Sequence, residues 1–120
     1  MYQHFNENPL HKNVGDCTVR AISKALNRSW DSVYTALCVK GYEMCDLPSS
    51  NAVWGAYLLD CGFSRHILPE ICTVADFAEE HGQGIYILAT GSHVVCVSDG
   101  IIYDSWDSSA EVPTYYYTKE

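Results

Sequence analysis

Positive charge is scarce in this chain. Only 7 Lys and Arg stand against 15 Asp and Glu, a formal net charge of −8 over 120 residues. Nonspecific nucleic-acid binding needs a basic footprint, so no nucleic-acid partner is expected. The same deficit argues against docking on an anionic membrane. Long apolar runs are missing too. None approaches the ~20 residues of a membrane span. The opening Met1-Tyr2-Gln3-His4-Phe5-Asn6 has neither the basic nor the apolar stretch of a secretion signal. The expectation is therefore no membrane partner and a cytoplasmic location. Internal repeats and low-complexity segments are absent as well.

Cysteine is plentiful, with 6 residues, but never as Cys-x-x-Cys. Cys38 and Cys45 lie apart from any His pair, which speaks against a structural metal. Cys38, Cys61, Cys72 and Cys96 stand in apolar or helical surroundings, where a free thiol behaves as a small hydrophobe. Without an export signal, reduced cysteines are expected; a disulfide scaffold is the alternative. Hydrophobic residues make up 48% of the chain. That suffices for a core in one domain spanning 1–120.

Residues 1–15 read as irregular, broken by Asn, His, Pro9 and Gly15. A helix capped by Asp16 then runs to about Asn27, with Val19, Ile22, Ala25 and Leu26 on one face. Ser29 caps a second helix that Gly41 ends. Ser49 or Ser50 opens a third, carrying Val53, Trp54, Tyr57 and Leu58 and stopped by Gly62. After this the pattern changes. A short strand fits 63–68, a short helix starts at the cap Thr73, and strands fit 84–90, 93–98 and 101–104. Asp99-Gly100 is a strong two-residue hairpin signal. Tyr115, Tyr116 and Tyr117 suit an edge strand over 112–118. Helices first and an antiparallel sheet afterwards make an α+β layout.

Cys17, His93 and Asp104 supply, in that chain order, a thiol, an imidazole and a carboxylate. These can serve as nucleophile, base and orienting group. Cys17 falls in the first helical turn, where unpaired backbone N–H groups favour a thiolate. Asp16 opposes that charge, unless its carboxylate turns to the backbone amides as a cap. A turn at Asp99-Gly100 brings His93 and Asp104 roughly across from each other at the open end of the hairpin. Cross-strand neighbours lie about 4.5–5.5 Å apart at Cβ, and somewhat farther on the diagonal. A carboxylate at that range can fix the imidazole tautomer. Trp106 is placed to shield the contact from water. Arg20, one turn along the helix from Asp16 and Cys17, is expected to pair with a carboxylate there.

A cysteine at a helix start, a histidine on a strand and Asp104-Ser105-Trp106 after the next strand resemble the papain-like cysteine peptidase fold. The last segment is similar to the Asn-Ser-Trp of papain, with Asp in place of Asn. Bacteriocin-processing and cell-wall peptidases of the same broad clan are similar too. A closer likeness is to bacterial and phage proteins carrying Gly-Asp-Cys-x-x-Arg-Ala and Tyr-Asp-x-Trp-Asp, matched here by Gly15 to Ala21 and Tyr103 to Asp107. The resemblance implies a papain-like domain, N-terminal helices packed on a C-terminal antiparallel sheet. It makes Cys17 the nucleophile, His93 the base and Asp104 the orienting residue. The chain departs from the pattern at the oxyanion donor. A Gln usual some six residues before the cysteine is His11 here, with Asn13 and Asn8 as nearby amides, and the sequence does not choose among them.

The implied reaction is cleavage of a peptide or isopeptide bond, with a peptide or protein substrate and no cofactor. Transfer of the acyl group to an amine shares the same first step. A non-catalytic module binding a peptide or partner in the same groove is the rival reading, and an acidic surface suits a basic partner. In that reading Cys17 is a buried small residue, His93 a hydrogen-bonded strand residue and Asp104 a turn cap. Asp107 is an alternative third member.

Overall fold

A computed structural model describes residues 1–119. A short strand β1 (Tyr2–His4) precedes three helices, α1 (Cys17–Leu26), α2 (Trp30–Glu43) and α3 (Asn51–Asp60). Strand β2 (Ser64–Ile67) and helix α4 (Val74–Glu80) follow. The chain then forms β3 (Ile85–Ala89), β4 (Val94–Ser98), β5 (Ile101–Asp104) and β6 (Tyr115–Thr118). The result is a mixed α+β domain around one six-stranded sheet in the order β1-β5-β4-β3-β6-β2.

Helices cover both faces of that sheet. The apolar stripe Val19, Ala21, Ile22 and Ala25 of α1 shares one core with Leu37, Trp54 and Leu58 from α2 and α3. Ile87, Ala89, Val94, Cys96 and Tyr117 form the sheet side of that core. Val74, Phe77 and Ala78 of α4 pack on the opposite face against Leu88, Val95, Val97 and Ile102. This explains the unbroken Val94-Val95-Cys96-Val97 run: alternate side chains enter opposite cores, so no position is left for a polar residue.

Local signals set several ends. Ser29 Oγ accepts the Ser32 N–H, and Thr73 with Asp76 forms a reciprocal capping box. Asp99 and Gly100 both have positive φ and join β4 to β5 by a two-residue turn.

Four expectations need correction. Residues 1–15 are not wholly irregular, because β1 pairs with β5. That pairing is parallel, so the sheet is mixed rather than antiparallel. It depends on backbone bonds such as Phe5 N–H to the Asp104 carbonyl at 2.7 Å, which leave no mark on side-chain pattern. The tyrosine strand β6 is interior, flanked by β3 and β2, because β2 adds outside it. Gly41 does not end α2, which continues to Glu43. Its missing side chain serves packing instead: a Cβ there would lie 2.9 Å from the Asp46 carbonyl oxygen and 3.1 Å from Pro48 N.

Candidate active site

Docking of α1 on β4 sets the first helical residue, Cys17, beside the residues that lead into the strand. Cys17, Thr18, Asn51, Thr90, Ser92 and His93 are among the walls of one cleft of about 180 Å³. His93 lies in the turn between β3 and β4, one residue before β4 begins. Thr90 fixes that turn. Its hydroxyl oxygen accepts the His93 N–H at 3.0 Å, and its own N–H donates to the His93 carbonyl at 2.8 Å.

The β4–β5 register pairs Cys96 with Tyr103. Continued outward, it sets Asp104 opposite Val95 and makes His93 a diagonal neighbour. His93 Nε2 and Asp104 Oδ2 are 2.6 Å apart and buried. The hairpin arithmetic thus holds, in its diagonal form. With Nε2 committed to Asp104, Nδ1 is the nitrogen left for other partners.

Asp104 is held from several sides. Ser108 Oγ donates to Oδ2 at 2.6 Å, and the Ser105 N–H donates to Oδ1 at 2.8 Å. Arg20 Nη2 donates to Oδ1 at 3.2 Å. The other Arg20 nitrogen, Nη1, pairs with Asp16 Oδ1, so one guanidinium bridges two buried carboxylates. Arg20 Nε is buried without a hydrogen-bond partner among the described residues.

Asp16 holds the N-cap position, but its side chain makes no cap hydrogen bond. That corrects the expectation of a capping carboxylate. The Arg20 guanidinium draws it inward, where Oδ2 also accepts from Trp30 Nε1 at 2.9 Å and Asn8 Nδ2 at 3.5 Å. The first-turn amides beside Cys17 are therefore not neutralised by this carboxylate.

The protonation states follow from these contacts. Burial pushes the Cys17 thiol up. Hydrogen bonding to His93 and to the Val94 backbone, the His93 charge and the Thr18 hydroxyl outweigh it, leaving the thiol below its ordinary value. Burial disfavours the His93 cation, but Asp104 and Cys17 more than compensate and raise it to about 9. Burial also opposes the Asp104 anion. Hydrogen bonds from His93 and Ser108 prevail and hold its carboxyl below the usual range. Cys96, fully buried in apolar packing, is pushed up to about 12. One chain thus holds a thiol lowered by its partners and another raised by burial.

The three oxyanion candidates sit elsewhere. Asn8 is buried with its amide turned to Asp16, while His11 and Asn13 are exposed, and none of the three lines the Cys17 cleft. Asn51 does line it. Its Oδ1 accepts from Trp54 Nε1 at 3.0 Å, which leaves its Nδ2 to donate. Nothing in the sequence distinguishes Asn51 from other helix-start residues. Trp106 packs its ring 4.8 Å from that of His93, yet stays 46% exposed, so it covers only one side. All six cysteines are unpaired. Among the described residues no cluster of His, Cys, Asp or Glu could hold a metal ion, and no helix is long and apolar enough to cross a membrane. Comparison with family models, with curated proteins and with solved structures gave no match.

Proposed function

We propose that this chain is a thiol-dependent hydrolase of peptide or isopeptide bonds, on a papain-like arrangement of helices and sheet. The observation that carries the reading is the shared cleft: Cys17, at a helix start, faces the same space as His93, whose other side is fixed by Asp104 at 2.6 Å. A thiolate and an imidazolium held together are the resting state that acyl transfer needs.

In the reaction, Cys17 Sγ attacks the substrate carbonyl carbon and forms a C–S bond. The oxyanion takes hydrogen bonds from the Cys17 backbone N–H and from Asn51 Nδ2. His93 gives its proton to the leaving nitrogen as the C–N bond breaks. It then removes a proton from water, whose oxygen attacks the thioester. The C–S bond breaks, releasing the acid and restoring the thiolate. Asp104 keeps the ring oriented and its charge balanced throughout.

The test is alkylation by iodoacetamide, with each cysteine followed by mass spectrometry. Cys17 is expected to label far faster than a free thiol near neutral pH, and the advantage is expected to vanish in His93→Ala. Labelling of Cys17 at the rate of free cysteine overturns the proposal.

A further inference from the structure

A second, larger cleft adjoins the first. Its volume is about 490 Å³, within the span typical of small-molecule and side-chain sites. Val19, Trp30, Tyr34, Leu37 and Pro48 supply apolar walls. Val19 and Leu37 form a buried floor, while Val14 and Tyr34 at the margin are half exposed. Trp30 and Tyr34 stack at 4.9 Å, which gives the cleft a flat aromatic side.

The two clefts meet. Gly15, Thr18 and Ser49 belong to the walls of both. Thr18 directly follows Cys17 and Gly15 comes two residues before it, so the segment that carries Cys17 borders the junction, and Cys17 itself lines the smaller cleft. Around Gly15 there is room: a Cβ added there would have no neighbour within 4 Å.

The charge pattern narrows the ligand. Asp16 borders the larger cleft, but its carboxylate is already occupied by Arg20, Trp30 and Asn8. Lys12 is the remaining charged wall residue, and it is exposed. A strongly acidic protein thus presents, beside the Cys17 cleft, an apolar cavity with a positive rim.

Resting on the hydrolase reading above, we propose that this cleft binds a large apolar side chain, aromatic above all, on the residue whose carbonyl Cys17 attacks. Gly15 and Thr18, which flank Cys17 in the chain, line both clefts, so the larger one continues from the space that Cys17 and His93 share. Small residues leave the apolar walls unfilled, and cationic residues meet Lys12 without a free carboxylate to pair with.

Two measurements test this on the intact chain. The first needs no reaction: N-acetyl-phenylalaninamide, alaninamide and lysinamide are titrated while the Trp30 indole N–H and the Gly15 and Thr18 amides are followed by NMR. Saturable shifts at these groups are expected with the phenylalanine compound alone. Their absence, or shifts elsewhere, overturns the proposal. So does a concentration-dependent shift around Tyr34 without ligand, which means that a second copy fills the cleft.

The second compares inactivation by N-acetyl-phenylalanyl and N-acetyl-alanyl chloromethyl ketones. The phenylalanyl ketone is expected to alkylate Cys17 about tenfold faster or more, the discrimination a few apolar carbons supply. Gly15 has no positive φ, so Gly15→Leu is free of backbone strain; filling the junction is expected to remove the preference. Equal rates from a Cys17 that iodoacetamide labels quickly overturn the subsite and leave the hydrolase reading standing. Resistance to both ketones with the Trp30 shift intact overturns the hydrolase reading, and with it the link to an attacked carbonyl, and leaves only an apolar-ligand cleft.

Discussion

Arg20 Nη2 donates to Asp104 Oδ1 at 3.2 Å, a contact between residues 84 positions apart. Through its other terminal nitrogen the same side chain pairs with Asp16. The first turn of α1 and the end of β5 are thereby tied by one buried cation. Burying two carboxylates and a guanidinium is costly in itself, so the network is a weak source of net stability. Its value is positional: it fixes the carboxylate that fixes His93.

Removing Arg20 takes the guanidinium from two buried carboxylates; Asp104 keeps His93, but Asp16 is left without a charged partner. Arg20→Met is expected to cost about 3–5 kcal/mol, read from urea unfolding. Arg20→Lys, a point charge without the planar fork, is expected to recover only part of that loss. Full recovery by Lys removes the case for a bridging role.

Substrate hydrolysis is expected to follow a bell in pH. The acid limb reflects Cys17 and lies below the range of an ordinary thiol. The alkaline limb falls near pH 9, where His93 releases the proton needed by the leaving nitrogen. Alkylation needs no such proton, so it should rise once and stay level. In His93→Gln its midpoint should move up toward that of free cysteine.

Asp104→Asn keeps the shape but removes the charge. His93 is expected to titrate well below the present value of about 9, followed by NMR of the ring. With the imidazolium gone at neutral pH, rapid Cys17 labelling should fall with it. An unchanged His93 titration means that Asp104 does not hold the proton in place.

Stability should depend on pH through the same groups. The Asp104 carboxyl is lowered on folding, so its contribution is complete above the ordinary carboxylate value and is lost as pH drops through the folded value. His93 has the opposite sign. Raised from 6.5 to about 9, it stabilises fully below the first value and loses that contribution as pH climbs to the second. Cys17, lowered on folding, gains stabilisation over part of the same alkaline range and offsets some of the loss. Urea midpoints of wild type and His93→Gln across this range check the sign, since the difference between them should shrink toward pH 9.

Gly41→Ala is expected to destabilise by about 1–3 kcal/mol, the usual cost of overpacking. The new Cβ would meet backbone atoms of Asp46, Leu47 and Pro48 at 2.9–3.3 Å. The loop it displaces leads to Ser49 and Asn51, so Cys17 reactivity toward bulky ketones should change as well. Gly82→Ala, where a Cβ meets open space, serves as the control.

Local chemistry was readable without coordinates. The apolar stripe of α1, the Ser29 and Thr73 caps and the Asp99-Gly100 turn each depend on a few neighbouring residues. So does the meeting of His93 with Asp104, because a two-residue turn fixes register by counting. Those features belong to the amino-acid sequence itself. The parallel pairing of β1, the interior place of β6 and the bridge from Arg20 to Asp104 do not. Backbone ladders between distant strands carry no side-chain code, and a buried charge chooses among all carboxylates that packing brings near. The inward turn of Asp16, Asn51 at the cleft and the apolar cavity beside Gly15 were likewise decided only when α1 docked on β4 and α2 closed over its start. Docking is driven by burial of apolar area, which has no direction of its own, so residue order alone does not specify which polar groups it sets side by side.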